Sequence, residues 1–197
     1  MDRRVRKTRE TLFDTLIQLL REKEFERITI QEIADRADVN RGTVYLHFED
    51  KYDLLNRCID SYLVRLNDSC LPIEPSESPE VSLLRTFRYL ENSADVYSVL
   101  LRSEGVAAFR LRLSELLRQG VEEQFDRLVS DDRLNKEISI QFVTTAIVGL
   151  LEWWVARSMP YSAEEMVRQL MLLLGPYGLA QASPNAEADS AVAARPL

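Results

Sequence analysis

Five side chains within residues 41–51 carry hydrogen-bonding chemistry suited to a polyanion: Arg41, Thr43, Tyr45, His47 and Lys51. A guanidinium at a helix start can reach guanine O6 and N7, while hydroxyls, an imidazole and an ammonium donate to phosphate oxygens. Val44 and Phe48 stand four apart and share one side of a helix, which leaves Arg41, Gly42, Thr43, Tyr45 and His47 at or near its free surface. Gly42, lacking a Cβ, lets the backbone approach a duplex closely. Two plainer readings stand beside this one: a structural, buried His47, and a Tyr45 that belongs to the core. His47 is the single histidine of the chain, which argues against a histidine metal site or a Ser-His catalytic set.

Something must hold that helix in place, and the residues before it supply the means. Thr29 and Glu32 form a T-x-x-E capping box, so a helix is expected from Ile30, with Ile33, Ala34 and Ala37 as its apolar face. Asp38-Val39-Asn40 breaks it, and Asn40 can cap a second helix that opens at Arg41. A short helix, a tight turn and a second helix that presents its start outward make a helix-turn-helix. Thr29 and Asn40 are therefore both caps and possible phosphate donors.

The run from Thr29 to Leu55 resembles the DNA-binding segment of the TetR/AcrR family of bacterial transcriptional regulators. The matching positions are Thr29, Ile33, Ala34, Ala37, Val39, Gly42, Thr43, Tyr45, His47, Phe48, Lys51 and Leu54. The family usually has glycine in the turn, where this chain has Asp38; aspartate tolerates the left-handed conformation better than most residues. The resemblance implies that Tyr45, His47 and Lys51 contact phosphates, while Arg41 and Thr43 reach base edges. It also implies a homodimer on a palindromic operator in double-stranded DNA, released by a small-molecule effector, with repression as the usual outcome.

The chain of 197 residues has a net charge of −7, which argues against DNA binding until it is divided. Residues 1–51 hold 11 Lys+Arg and 11 Asp+Glu, whereas the rest holds 14 against 21. Arg3, Arg4, Arg6, Lys7 and Arg9 cluster at the front, either as a phosphate-contacting arm or as a solvated start. Phosphate affinity follows local charge, so an acidic body does not exclude DNA. Cys58 and Cys70 fit no metal motif and read as reduced thiols. No uninterrupted apolar run reaches about 18 residues and no signal-peptide core opens the chain, so a cytoplasmic protein without a membrane span is expected. An enzyme is disfavoured: there is no Gly-rich phosphate loop and no Cys/His cluster, and the pairs Glu122-Glu123 and Glu164-Glu165 point apart on a helix. No cofactor or metal is expected. A rival from another class is a helical dimer that acts through a protein partner, with weak or lost DNA binding.

The periodicity predicts an all-α chain of about nine helices: a three-helix DNA-binding domain (1–50), a connecting helix (51–70) capped by Asp50, and a larger helical effector-binding and dimerisation domain (71–181). Residues 71–80, rich in Pro and Ser, read as the joint, and Ser78-Pro79 as a helix start. Further helices fit 80–92, 94–102, 106–129, 137–158 and 163–174, and residues 182–197 read as a disordered tail. The 137–158 helix carries two apolar stripes, one with Val143, Ile147, Leu150 and Trp154, the other with Phe142, Ala146 and Trp153. Two stripes require burial on two sides, either as a central core helix or with one face against a second subunit. Phe87, Tyr89, Tyr97, Phe109, Phe125 and Trp153 could line an effector pocket or simply be core.

Overall fold

The computed structural model describes residues 3–70, 77–102, 107–128 and 134–174. Among these residues the chain forms nine α-helices and no strand. They are α1 (Arg3–Glu22), α2 (Ile30–Arg36), α3 (Arg41–His47), α4 (Lys51–Cys70), α5 (Pro79–Asn92), α6 (Ala94–Arg102), α7 (Ala107–Leu128), α8 (Lys136–Ala156) and α9 (Ala163–Leu174). Residues 71–76 of the expected joint, the break at Gly105, the stretch Ser130 to Arg133 and the 182–197 tail lie outside the described residues.

Side-chain caps set the helix starts of α2, α3, α4 and α8. The Thr29 hydroxyl accepts from the Glu32 N–H at 3.2 Å while the Glu32 carboxylate accepts from the Thr29 N–H at 3.0 Å, the reciprocal capping box. The Asn40 carbonyl oxygen accepts from the Gly42 N–H at 2.8 Å. Asp50 accepts from the N–H groups of Tyr52 and Asp53, each at 2.8 Å. Asn135 opens α8 in the same way, accepting from the Ile138 N–H at 3.0 Å. Each cap satisfies a donor that the first turn leaves without a helical partner. Between α1 and α2 the chain adds a 3-10 turn, Phe25–Arg27, which the sequence periodicity does not announce.

At the N-terminal end, Leu12, Leu16, Phe25, Ile33, Val44, Phe48 and Leu54 close into one core. Each such buried apolar side chain stabilises the fold by about 1.5–3 kcal/mol before conformational entropy is subtracted. The α4 helix packs on α1 at this end and on α5 and α7 beyond it, so it ties the helix-turn-helix to the rest of the chain. Two charged contacts reinforce the tie: Arg21 of α1 with Asp95 of α6 at 3.2 Å, and Arg112 of α7 with Asp60 of α4 at 2.6 Å.

The larger end is built around Trp154, which is fully buried, stacks obliquely on Phe87 at 5.2 Å and donates its indole N–H to the Tyr161 carbonyl at 2.8 Å. That bond fixes the α8–α9 turn, where Ser158 (φ 59°) and Met159 (φ 55°) both hold left-handed backbone. Phe87, Tyr97 and Phe109 are buried core residues, Tyr89 is half-buried against Tyr97, and Trp153 faces outward, stacked on Tyr161. Phe125 lies outside the described side chains. By length and mean hydropathy (1.5) α8 would suffice to cross a bilayer. Its stripe of Val143, Ile147 and Trp154 is instead buried, where α8 packs against α6 and α7.

Candidate nucleic-acid interface

The expected surface of α3 forms as a local consequence of helical spacing. Val44 is completely buried and Phe48, its C-cap, is 2% exposed, meeting Phe13 of α1 at 5.8 Å between ring centroids. Arg41, Gly42, Tyr45 and Leu46 are exposed, while Thr43 and His47 are half-buried on one flank. Arg41 donates to the Tyr45 hydroxyl at 3.0 Å and lies over its ring at 5.4 Å. The pair is a preformed clasp one helical turn long, which holds both side chains at the surface. His47 rests against Phe48 at 6.2 Å between ring centroids.

The turn before α3 takes the shape its sequence requires. Asp38 adopts φ 53°, the left-handed conformation in which aspartate stands in for the usual glycine. Its N–H reaches the Asp35 carbonyl and the next N–H, of Val39, bonds the Ala34 carbonyl at 3.0 Å. Two ion pairs lock α2 against the end of α1. Arg36 grips Glu22 with both terminal nitrogens, at 2.5 and 2.9 Å, which holds the Glu22 carboxyl below the usual range. Lys23 bonds Glu32, and together with the Thr29 cap this holds the Glu32 carboxyl down at about 2.

Lys51 takes a different role from the others. Its ammonium donates to the carbonyls of Phe25, Glu26 and Ile28 at 3.1, 2.9 and 3.1 Å. It also lies over the rings of Phe25 and Tyr52, at 4.8 and 5.4 Å. An ammonium has three donors, and three carbonyls take them. Here Lys51 holds the 3-10 turn rather than presenting a loose cation.

The basic front of the chain is helical from Arg3, with Arg3, Arg4, Arg6 and Lys7 exposed and Arg9 lying over the Phe48 ring at 5.5 Å. The structure thus places Asn40, Arg41, Gly42, Thr43, Tyr45 and His47 on α3 or at its start, Thr29 at the start of α2, and Lys51 at the start of α4 against the 3-10 turn. Leu46 escaped the sequence reading: an apolar residue in a helical pattern reads as core, yet it is 83% exposed. Its position four residues after Gly42, off the Val44–Phe48 side, is the signal that could have found it. Cys58 is buried, which pushes its thiol up and makes it unreactive.

These features define an all-helical protein that carries an N-terminal helix-turn-helix on a larger helical body. The two parts match two family models: residues 12–58 that of bacterial regulatory proteins of the tetR family, and residues 77–175 that of a transcriptional regulator C-terminal region. The chain belongs to the TetR family, a family of transcriptional regulators rather than enzymes. Over 50 residues it is 42% identical to a probable acrEF/envCD operon repressor of Escherichia coli K12, a stretch covering 25% of this chain and 23% of that protein. Over 99 residues it is 30% identical to the regulator TtgR of Pseudomonas putida, covering 44% of this chain and 47% of that one. The chain thus spans less than half the length of these curated relatives. A TetR regulator of Streptococcus agalactiae 2603V superposes with a TM-score of 0.71 at 23% identity, covering 88% of this chain and 96% of that one, a likeness of fold.

Proposed function

We propose that this chain is a sequence-specific transcriptional repressor of the bacterial cytoplasm, which binds a palindromic operator as a homodimer and is released by a small-molecule effector. The observation that carries the DNA reading is the exposed side of α3, where Arg41, Gly42 and Tyr45 stand outward over a buried Val44 and Phe48. Arg41 and Thr43 reach base edges, Tyr45 and His47 meet phosphates, and the Thr29 and Asn40 caps lie where a backbone phosphate would pass. Repression is supported by the similarity to the probable acrEF/envCD operon repressor of E. coli.

Dimerisation is supported by α8. Its stripe of Ile138, Phe142, Thr145, Gly149 and Trp153 is exposed along the whole helix, opposite the stripe that is buried. A twofold pair would present two copies of α3 to successive major grooves, about 34–36 Å apart. Effector binding is carried over from the TetR family to which the chain belongs. To act as a switch, the effector must prefer the released state by about 10⁴-fold for a nearly complete flip.

The test is a titration against the chain's own upstream DNA, with excess random duplex, at two salt concentrations. Wild type binds one palindrome saturably. Arg41→Ala loses affinity by about ten-fold or more and relaxes its base preference. Tyr45→Ala loses affinity evenly across sequences. Weak binding that ignores sequence and is unchanged in both variants would overturn the reading.

A further inference from the structure

We propose that Leu46 is a specificity-determining residue that reads the C5-methyl group of a thymine in each half-site; this rests on the DNA reading above. At 100° per residue, Gly42 and Leu46 each lie about 160° from Val44, on either side of the point opposite it. With Val44 fully buried, these two positions are the crest of the helix. Leu46 is 83% exposed there, the most exposed large apolar side chain among the described residues. The polar groups occupy the flanks: Arg41 and Tyr45 clasp each other on one side, and Thr43 and His47 lie half-buried on the other.

Gly42 makes the crest accessible. Gly42 is exposed, and a Cβ there would meet only the Asn40 side chain, at 3.4 Å, so the start of α3 is open at this point. One turn later Leu46 stands on the same crest, about 40° around the helix from Gly42. Neither donor nor acceptor is offered at that point, so it cannot distinguish bases by hydrogen bonds. Of the four base-pair edges in the major groove, only thymine presents an apolar group there, its methyl. A leucine on the crest therefore favours thymine over cytosine and uracil at the base it covers, while the flanks fix register.

The experiment uses the full chain and a duplex selected by the wild-type protein from its upstream DNA or a random pool. Each thymine of the half-site is replaced in turn by deoxyuridine, which removes the methyl and keeps every hydrogen bond. Wild type should lose about four-fold in affinity per half-site at one position, and about fifteen-fold when both half-sites are changed. Leu46→Ala should bind the thymine duplex more weakly and be indifferent at that position, with an unchanged circular dichroism spectrum. Leu46→Met, which keeps an apolar reach, should retain most of the preference. If wild type and Leu46→Ala respond alike to every replacement, the proposal is overturned while the DNA reading survives. If wild type selects no duplex at all, both fall together.

Discussion

Lys51 shows how one side chain can fit two roles that make opposite predictions. As a phosphate contact it would contribute one released counterion; as found, its three N–H bonds go to the carbonyls of Phe25, Glu26 and Ile28. Lys51→Met keeps the aliphatic stem but leaves those carbonyls short of a donor. It should lower stability by about 1.5–3 kcal/mol, the range for hydrogen bonds to a charged group, measured by urea unfolding. The slope of log affinity against log salt should stay the same; a fall of about 0.9 in its magnitude would mean that the ammonium leaves the turn for a phosphate. This role was illegible in the sequence because the partners lie 23 to 26 positions upstream, in a 3-10 turn with no periodic signature. The Thr29–Glu32 box, the Asn40 cap and the left-handed Asp38 were legible, since each is a contact within four residues or a property of one residue type.

Among the elements, α2 has the most condition-dependent anchorage. Glu32 caps its start and bonds Lys23 of the preceding segment, and its carboxyl is lowered from the usual 4.5 to about 2, chiefly by Lys23. A carboxyl depressed in the folded state contributes stability that is fully present above its unfolded value and is lost as pH falls through the folded one. The α2 anchorage should therefore weaken between about pH 4.5 and pH 2. Because both partners are partly exposed, solvent and salt screen the effect, and a modest change is expected. Urea midpoints compared at pH 6 and pH 3 should differ less in Glu32→Gln, which keeps a cap acceptor but no charge, than in wild type. An equal acid loss in both proteins would place the sensitivity elsewhere, for instance at Glu22 or Glu115, whose carboxyls are also lowered. Helix starts agreed with their caps at α2, α3 and α4 because capping is local. The α8–α9 turn did not declare its paired left-handed residues, because neither Ser158 nor Met159 is a residue type that favours that conformation; their N–H groups close the end of α8 on the Val155 and Trp154 carbonyls.

For the molecule as a whole, the decisive quantity is how much apolar surface one copy leaves uncovered. Sequence reasoning found two stripes on α8 but not which would face outward, since hydropathy alone does not rank two faces of similar character. Packing against α6 and α7 resolves it: Val143, Ile147 and Trp154 go in, while Phe142 and Trp153 are exposed. A helix of this length spans about 31 Å, too narrow a strip on its own for the roughly 800 Å² per partner that a stable interface buries. In the proposed dimer a second apolar face would have to join it, and the exposed Leu172 and Leu173 of α9 offer one. The middle of the α8 stripe is small, with Thr145 and an unobstructed Gly149, which lets two helices cross closely between the bulky ends Phe142 and Trp153. A charge on this stripe, beside the crossing, should therefore separate the copies. Phe142→Glu is exposed in the single chain, so its helical content and thermal unfolding at low concentration should stay near wild type. In sedimentation or light scattering it should run at half the wild-type mass. Its affinity for a full palindrome should fall toward that for an isolated half-site, because one recognition helix no longer brings the other to the groove. A variant that remains dimeric with full operator affinity would move the interface off α8 altogether.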